Sequence, residues 1–133
     1  MRSLRKLLST VLVVCIFICV SVPALAREES YPSVSFVNLG VGQSKSTVTS
    51  TYIVPSDTFV VESLSWSPMG NNVRVEFLPV GGGTIKGWTF SGGNISYFYL
   101  SMSSLTAGDY YVSVKNMGPS VSAVTGTLCY SWQ

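Results

Sequence analysis

Side chains able to do acid–base or nucleophilic chemistry are scarce in this chain, and histidine is missing altogether. Two of the three cysteines, Cys15 and Cys19, fall within the first 26 residues, which leaves Cys129 as the one thiol further along. Serine–histidine–aspartate and cysteine–histidine nucleophiles are thereby removed, as are the ordinary zinc sites. The six carboxylates are Glu28, Glu29, Asp57, Glu62, Glu76 and Asp109. A glycosidase pair needs two of them at about 5 to 9.5 Å across a scissile bond. Glu62 and Glu76 would qualify if their strands were neighbours, but Glu76 alternates to the same side as Arg74, where charged strand residues are ordinarily solvated. The stretch Gly81 to Gly87, GGGTIKG, has glycines fit for a phosphate cradle. It lacks the Lys-Ser/Thr and the following helix of a P-loop, and reads as a hairpin loop. Asp57, Asp109, Asn71, Asn72 and Asn94 sit at turns without the acidic spacing of a calcium loop. The chain is therefore expected to be non-catalytic and to need no cofactor or metal.

Aromatic residues are the chemistry that remains. Trp66, Trp88, Phe90, Tyr97, Phe98, Tyr99 and Tyr111 concentrate in the middle and late parts of the chain. Trp and Tyr on an exposed sheet face suit sugar stacking or a protein interface, because they combine large apolar area with a polar handle. Core filling is the competing use, expected for Trp66, Phe90 and Phe98. If Phe98, Leu100 and Met102 point inward, period-2 alternation turns Tyr97 and Tyr99 outward. Trp88, Tyr97, Tyr99 and Tyr111 are the expected binding residues.

The elements that must position these side chains are strands. Beyond Tyr31 no 3.6-residue period persists; β-branched and aromatic residues alternate between groups of Gly, Pro, Asn and Ser. Strands are expected near 33–41, 46–54, 58–66, 72–79, 84–90, 95–102, 109–116 and 121–131. Eight short strands without intervening helices predict an all-β, antiparallel two-sheet sandwich of jelly-roll or immunoglobulin-like type. Val73, Val75 and Phe77 should face the core opposite Arg74 and Glu76. Tyr110, Val112 and Val114 should do so opposite Tyr111, Ser113 and Lys115, and Leu128, Tyr130 and Trp132 opposite Thr127, Cys129 and Ser131.

Residues 1–26 place Arg2, Arg5 and Lys6 before an apolar run from Val11 to Val22, then Pro23 and Ala24-Leu25-Ala26. This is the pattern of a secretory signal peptide cleaved after Ala26, and its apolar run is shorter than the roughly 20 residues of a spanning helix. The expected product is secreted and not stably inserted in a membrane. It would comprise a flexible leader, 27–32, and one domain, 33–133. Residues 27–133 carry five basic and six acidic side chains, a formal charge of −1. Nucleic acid is excluded as a partner, since phosphate neutralisation needs clustered Lys and Arg. No intrachain disulfide is available. Cys129 is either a buried thiol or the site of an intermolecular disulfide in a homo-oligomer. The low charged fraction, 11 %, also favours association, including self-assembly through sheet edges into a fibre or surface layer.

The segment Leu105-Thr106-Ala107-Gly108-Asp109-Tyr110, followed by Val112 and Val114, resembles the tyrosine corner of sandwich domains, in which a Tyr hydroxyl returns to nearby backbone. It is similar to the leucine, alanine-glycine, tyrosine sequence of bacterial secreted prepeptidase C-terminal domains, which are jelly rolls. Fibronectin type III domains are the second resemblance, helped by Trp66 in SLSWSPMG, 39 positions before Leu105. The fibronectin spacing would select Tyr111 as the corner residue and the bacterial spacing Tyr110. Only Tyr110 is in phase with Val112 and Val114. The bacterial resemblance implies a structural corner of Leu105, Gly108 and Tyr110 in a non-catalytic binding or cell-surface interaction module whose partner is a glycan or a protein.

Overall fold

The computed structural model describes residues 31–133, so the expected signal segment and residues 27–30 of the expected leader lie outside the described residues. Nine strands form: β1 (Ser33–Leu39), β2 (Ser44–Ser46), β3 (Thr51–Ile53), β4 (Thr58–Ser67), β5 (Asn72–Pro79), β6 (Lys86–Phe90), β7 (Asn94–Ser101), β8 (Gly108–Gly118) and β9 (Val124–Trp132). The single strand expected at 46–54 is two, because the chain leaves β8 after Ser46 and returns to it at Thr51. Pairing of the N-terminal segment begins before β1, where the Pro32 carbonyl accepts a hydrogen bond from Tyr130 N at 3.0 Å.

The strands make two antiparallel sheets, ordered β1-β9-β4-β7 and β2-β8-β5-β6, with β3 also on β8. Successive strands cross repeatedly from one sheet to the other, and β5–β6 is the one long hairpin that stays within a sheet. This winding is that of a jelly roll rather than an immunoglobulin sandwich. Alternation supplies the core between the sheets: Val73, Val75 and Phe77 from β5 and Val112 and Val114 from β8 face Val61, Leu64 and Leu128 of the other sheet. Phe59 sits at the centre, edge-on to Phe77 at 5.0 Å and stacked on Tyr130 at 4.9 Å. Burying such a ring contributes roughly 1.5–3 kcal/mol. Gly126 is required by close approach, since a Cβ there would come within 2.8 Å of both Phe36 and the Trp66 backbone.

One end of the sandwich is tied by buried amides. Asn71 Nδ2 donates to Asn116 Oδ1 at 3.2 Å and to the Ser122 carbonyl at 2.7 Å. Asn116 Nδ2 donates to the Leu39 carbonyl at 2.9 Å, and its Oδ1 accepts from Gly118 N at 3.0 Å. Three loops are thereby joined by two side chains that the sequence presents as ordinary turn residues.

Candidate functional site

The two sheets differ in charge. Strands β1, β4, β7 and β9 contain one charged residue among them, Glu62. Lys45, Arg74, Glu76, Lys86, Asp109 and Lys115 all lie on the other sheet. The neutral sheet turns hydroxyls outward in register. Ser35, Thr127, Ser65 and Asn94 form one cross-strand row, and Ser33, Cys129, Ser63 and Ser96 form the next. Neighbouring strands are about 4.8 Å apart and alternate residues about 6.7 Å, so these groups make a regular polar grid.

At the β7 edge of the grid the pleat is deliberately broken. Against β9, β4 carries a bulge between Val61 and Ser63, which places Glu62 and Ser63 together on the outer side. The Glu62 carboxylate accepts a hydrogen bond from Ser131 Oγ at 2.6 Å. On the other flank β4 and β7 stay in register, Val61 with Phe98 and Ser63 with Ser96, and the β7 residue between, Tyr97, has a φ of +51°. Left-handed backbone is costly for a bulky residue and is tolerated where surrounding structure imposes it. Tyr97 is 70 % exposed and Tyr99 57 % exposed, so two exposed tyrosines, two positions apart on the edge strand, border the hydroxyl grid.

Phe98 departs from expectation. It has the inward phase of Leu100, yet it is 45 % exposed. The cause is its place on an edge strand: β7 is paired on one side only, and the ring closes the open flank of the sandwich against Phe90 at 5.2 Å. The other expected binding residues are not gathered with these tyrosines. Trp88 is opposite Val75, half-buried and edge-on to Phe77 at 5.8 Å. Tyr111 lies half-buried on the outer side of the charged sheet, in register with Leu78. Cys129 is half-buried within the hydroxyl grid and is unbonded.

The carboxylates are also placed. Glu62 is on the outer side of one sheet and Glu76 on the outer side of the other, so the strands that carry them are not neighbours. Glu76 is not a solvated strand charge; it is 7 % exposed, with Arg74 Nε at 3.4 Å from its Oε1. Gly87, its cross-strand neighbour, leaves room for this arrangement, since a Cβ would fall 2.6 Å from Arg74 Nε. Among the described residues there is no group of three or more His, Cys, Asp or Glu able to hold a metal ion. Nor is any helix among them long and apolar enough to cross a membrane.

The corner residues are buried or half-buried at the start of β8. Tyr110 O–H donates to the Thr106 carbonyl at 2.6 Å, and Leu105 N donates to the Met102 carbonyl at 2.9 Å. Gly108 follows at the first position of β8. No family model, curated protein or solved structure matches the chain.

Proposed function

We propose that the protein is a secreted, non-catalytic binding module that holds a neutral glycan against the hydroxyl-bearing face of the β1-β9-β4-β7 sheet. Tyr97 and Tyr99 serve as the stacking rim. The observation that carries this reading is the left-handed, solvent-facing Tyr97 beside Tyr99, at the border of a sheet whose only charge is Glu62. Sugar rings pair an apolar face with peripheral hydroxyls, and the face offers both an aromatic surface and hydroxyl partners for them. A partner bound this way releases few counterions. Retention on a panel of neutral and acidic polysaccharides should therefore favour the neutral ones and persist from low to high salt. Retention confined to acidic polysaccharides and abolished by salt would sink the proposal.

A second reading rests on a different property of the same strand. The sequence of β7, NISYFYLS, contains no charge, proline or glycine, and its outer edge is unpaired. Such an edge recruits further strands. If the chain is instead a self-assembling subunit, light scattering rises with concentration, and Ile95→Lys on β7 suppresses the rise. A strictly monomeric protein at high concentration would remove that reading, and insensitivity to reductant would remove Cys129 from it.

A further inference from the structure

The end of the sandwich that carries the asparagine cluster is closed by residues 40–43, 67–71, 91–93 and 117–123, which include no Asp, Glu, Lys or Arg. Three of these connections hold an apolar side chain out in solvent: Val41 is 48 % exposed, Met69 70 % and Val121 95 %. Contacts between distant parts of the chain gather them. A Cβ on Gly118 would lie 3.5 Å from Val41 Cγ1, and one on Gly93 would lie 2.6 Å from Met69 Cβ. Val121 stands between Ser120 and Ser122, both of which are bonded to Asn71. The backbone of the same loops is paired within the protein. Gly42 N donates to the Asn116 carbonyl at 2.8 Å and Gln43 N to the Gly40 carbonyl at 2.9 Å. Gly40 N donates to Gln43 Oε1 at 2.8 Å, Ser120 N to Asn71 Oδ1 at 3.0 Å and Trp66 Nε1 to the Asn71 carbonyl at 2.7 Å. Loops ordinarily leave such groups to water. A tip whose polar backbone is already satisfied loses little when it leaves water.

The charges behind the tip select its occupant. β8 reaches the tip at Gly118, and β5 leaves it at the register partner, Asn72. The first charged side chains met on these two strands are Lys115 and Arg74, directly opposite one another. On the adjoining β2, Lys45 is in register with Val114. Three residues of strand put this basic collar about 10 Å behind the tip. Arg74 is engaged by Glu76, and neither lysine forms an ion pair among the described residues. Asp57 and Asp109 belong to the opposite end, just before β4 and at the start of β8, the strands that run toward the tip. Interfacial proteins bury apolar groups roughly 5–10 Å into the boundary between headgroups and acyl chains. A collar about 10 Å further back therefore stands at the level of the lipid phosphates. A protein partner fits less well, because interface centres are built on Trp, Tyr and Arg, and the tip loops hold none of these.

We infer that Val41, Met69 and Val121 form a docking tip for an anionic phospholipid bilayer, which the protein touches reversibly while Lys45 and Lys115 meet the headgroup phosphates. The inference does not depend on the tyrosine rim, and Tyr97→Ala/Tyr99→Ala should bind vesicles as the parent does. The full chain is expressed, and the purified protein is sedimented with vesicles of phosphatidylcholine alone or of equal parts phosphatidylcholine and phosphatidylglycerol. Partition should be greater on the mixed vesicles and fall at high salt. Met69→Asp/Val121→Asp should lower it at least about tenfold by removing the apolar contact. Lys45→Gln/Lys115→Gln should lower it about thirtyfold on the mixed vesicles. Met69, Val121 and Lys45 are exposed and Lys115 is half-buried, so both variants should keep the circular dichroism of the parent. An environment-sensitive fluorophore at Met69→Cys, in a Cys129→Ser background, should shift to the blue on mixed vesicles. The same label at Thr84→Cys, in the loop that follows the far end of β5, should not. The inference is overturned if the parent stays in the supernatant with both vesicles, if a folded Met69→Asp/Val121→Asp sediments as the parent does, or if the Thr84 label responds and the Met69 label does not. Dimerisation that needs Met69 and Val121, without lipid binding, would assign the tip to a second copy and overturn it equally.

Discussion

Tyr97 concentrates the functional argument at the scale of one residue. Its φ of +51° is a conformation that glycine adopts freely and tyrosine does not. Tyr97→Gly relieves left-handed strain of about 1–3 kcal/mol against an entropic cost of about 0.5–1 kcal/mol for glycine in a strand, so stability should stay unchanged or rise. The same change should weaken glycan binding, and urea denaturation measured beside a binding isotherm separates the two effects. A destabilised variant would mean that the ring is held for packing. Tyr130 makes a different prediction. Burial pushes its phenol above the ordinary value of 10.0, because the phenolate loses solvation in the folded state. The neutral phenol is the favoured native form, so this contribution is intact below about pH 10 and is lost as pH rises through the folded-state value. Tyr130→Phe should flatten the alkaline fall in stability; an unchanged fall would assign it to another group.

At the scale of elements, strand phase was legible in the sequence wherever strands are regular. Along β5, β8 and β9 the alternation of Val73, Val75 and Phe77, of Val112 and Val114, and of Leu128 and Tyr130 identifies the inner face, because each lies between two neighbours over a packed core. Local alternation carries no information about where a strand stands in its sheet. That is why Phe98, inward in phase, is half-exposed on the β7 edge, and why Glu76, outward in phase, is buried beneath Arg74 beside Gly87. The corner was readable because its elements are contiguous, from Leu105 to Tyr110. The asparagine cluster was not, since its partners come from three loops. Asn116→Ala removes one of the two acceptors of Asn71 Nδ2 and the side-chain partners of the Leu39 carbonyl and Gly118 N together. A loss of about 2–4 kcal/mol is expected for such a buried network, seen as a lower urea midpoint with an unchanged slope. A loss below 0.5 kcal/mol, the scale of ordinary surface substitutions, would show that the loops are held by other contacts.

Over the whole molecule, the jelly roll separates a charged sheet from a nearly neutral one, an asymmetry that exists only once strand order is known. The tyrosine rim and hydroxyl grid belong to the neutral side. The central claim is that the rim binds glycan. Truncating each tyrosine should remove at least about 1 kcal/mol of contact energy, and the pair about thirtyfold in affinity. The most direct test is calorimetric titration of the parent and of Tyr97→Ala/Tyr99→Ala with the neutral polysaccharide that the parent retains best. The account predicts measurable binding by the parent and a loss of about thirtyfold in the double variant, with its fold intact by circular dichroism. Equal affinity in a folded double variant would contradict it.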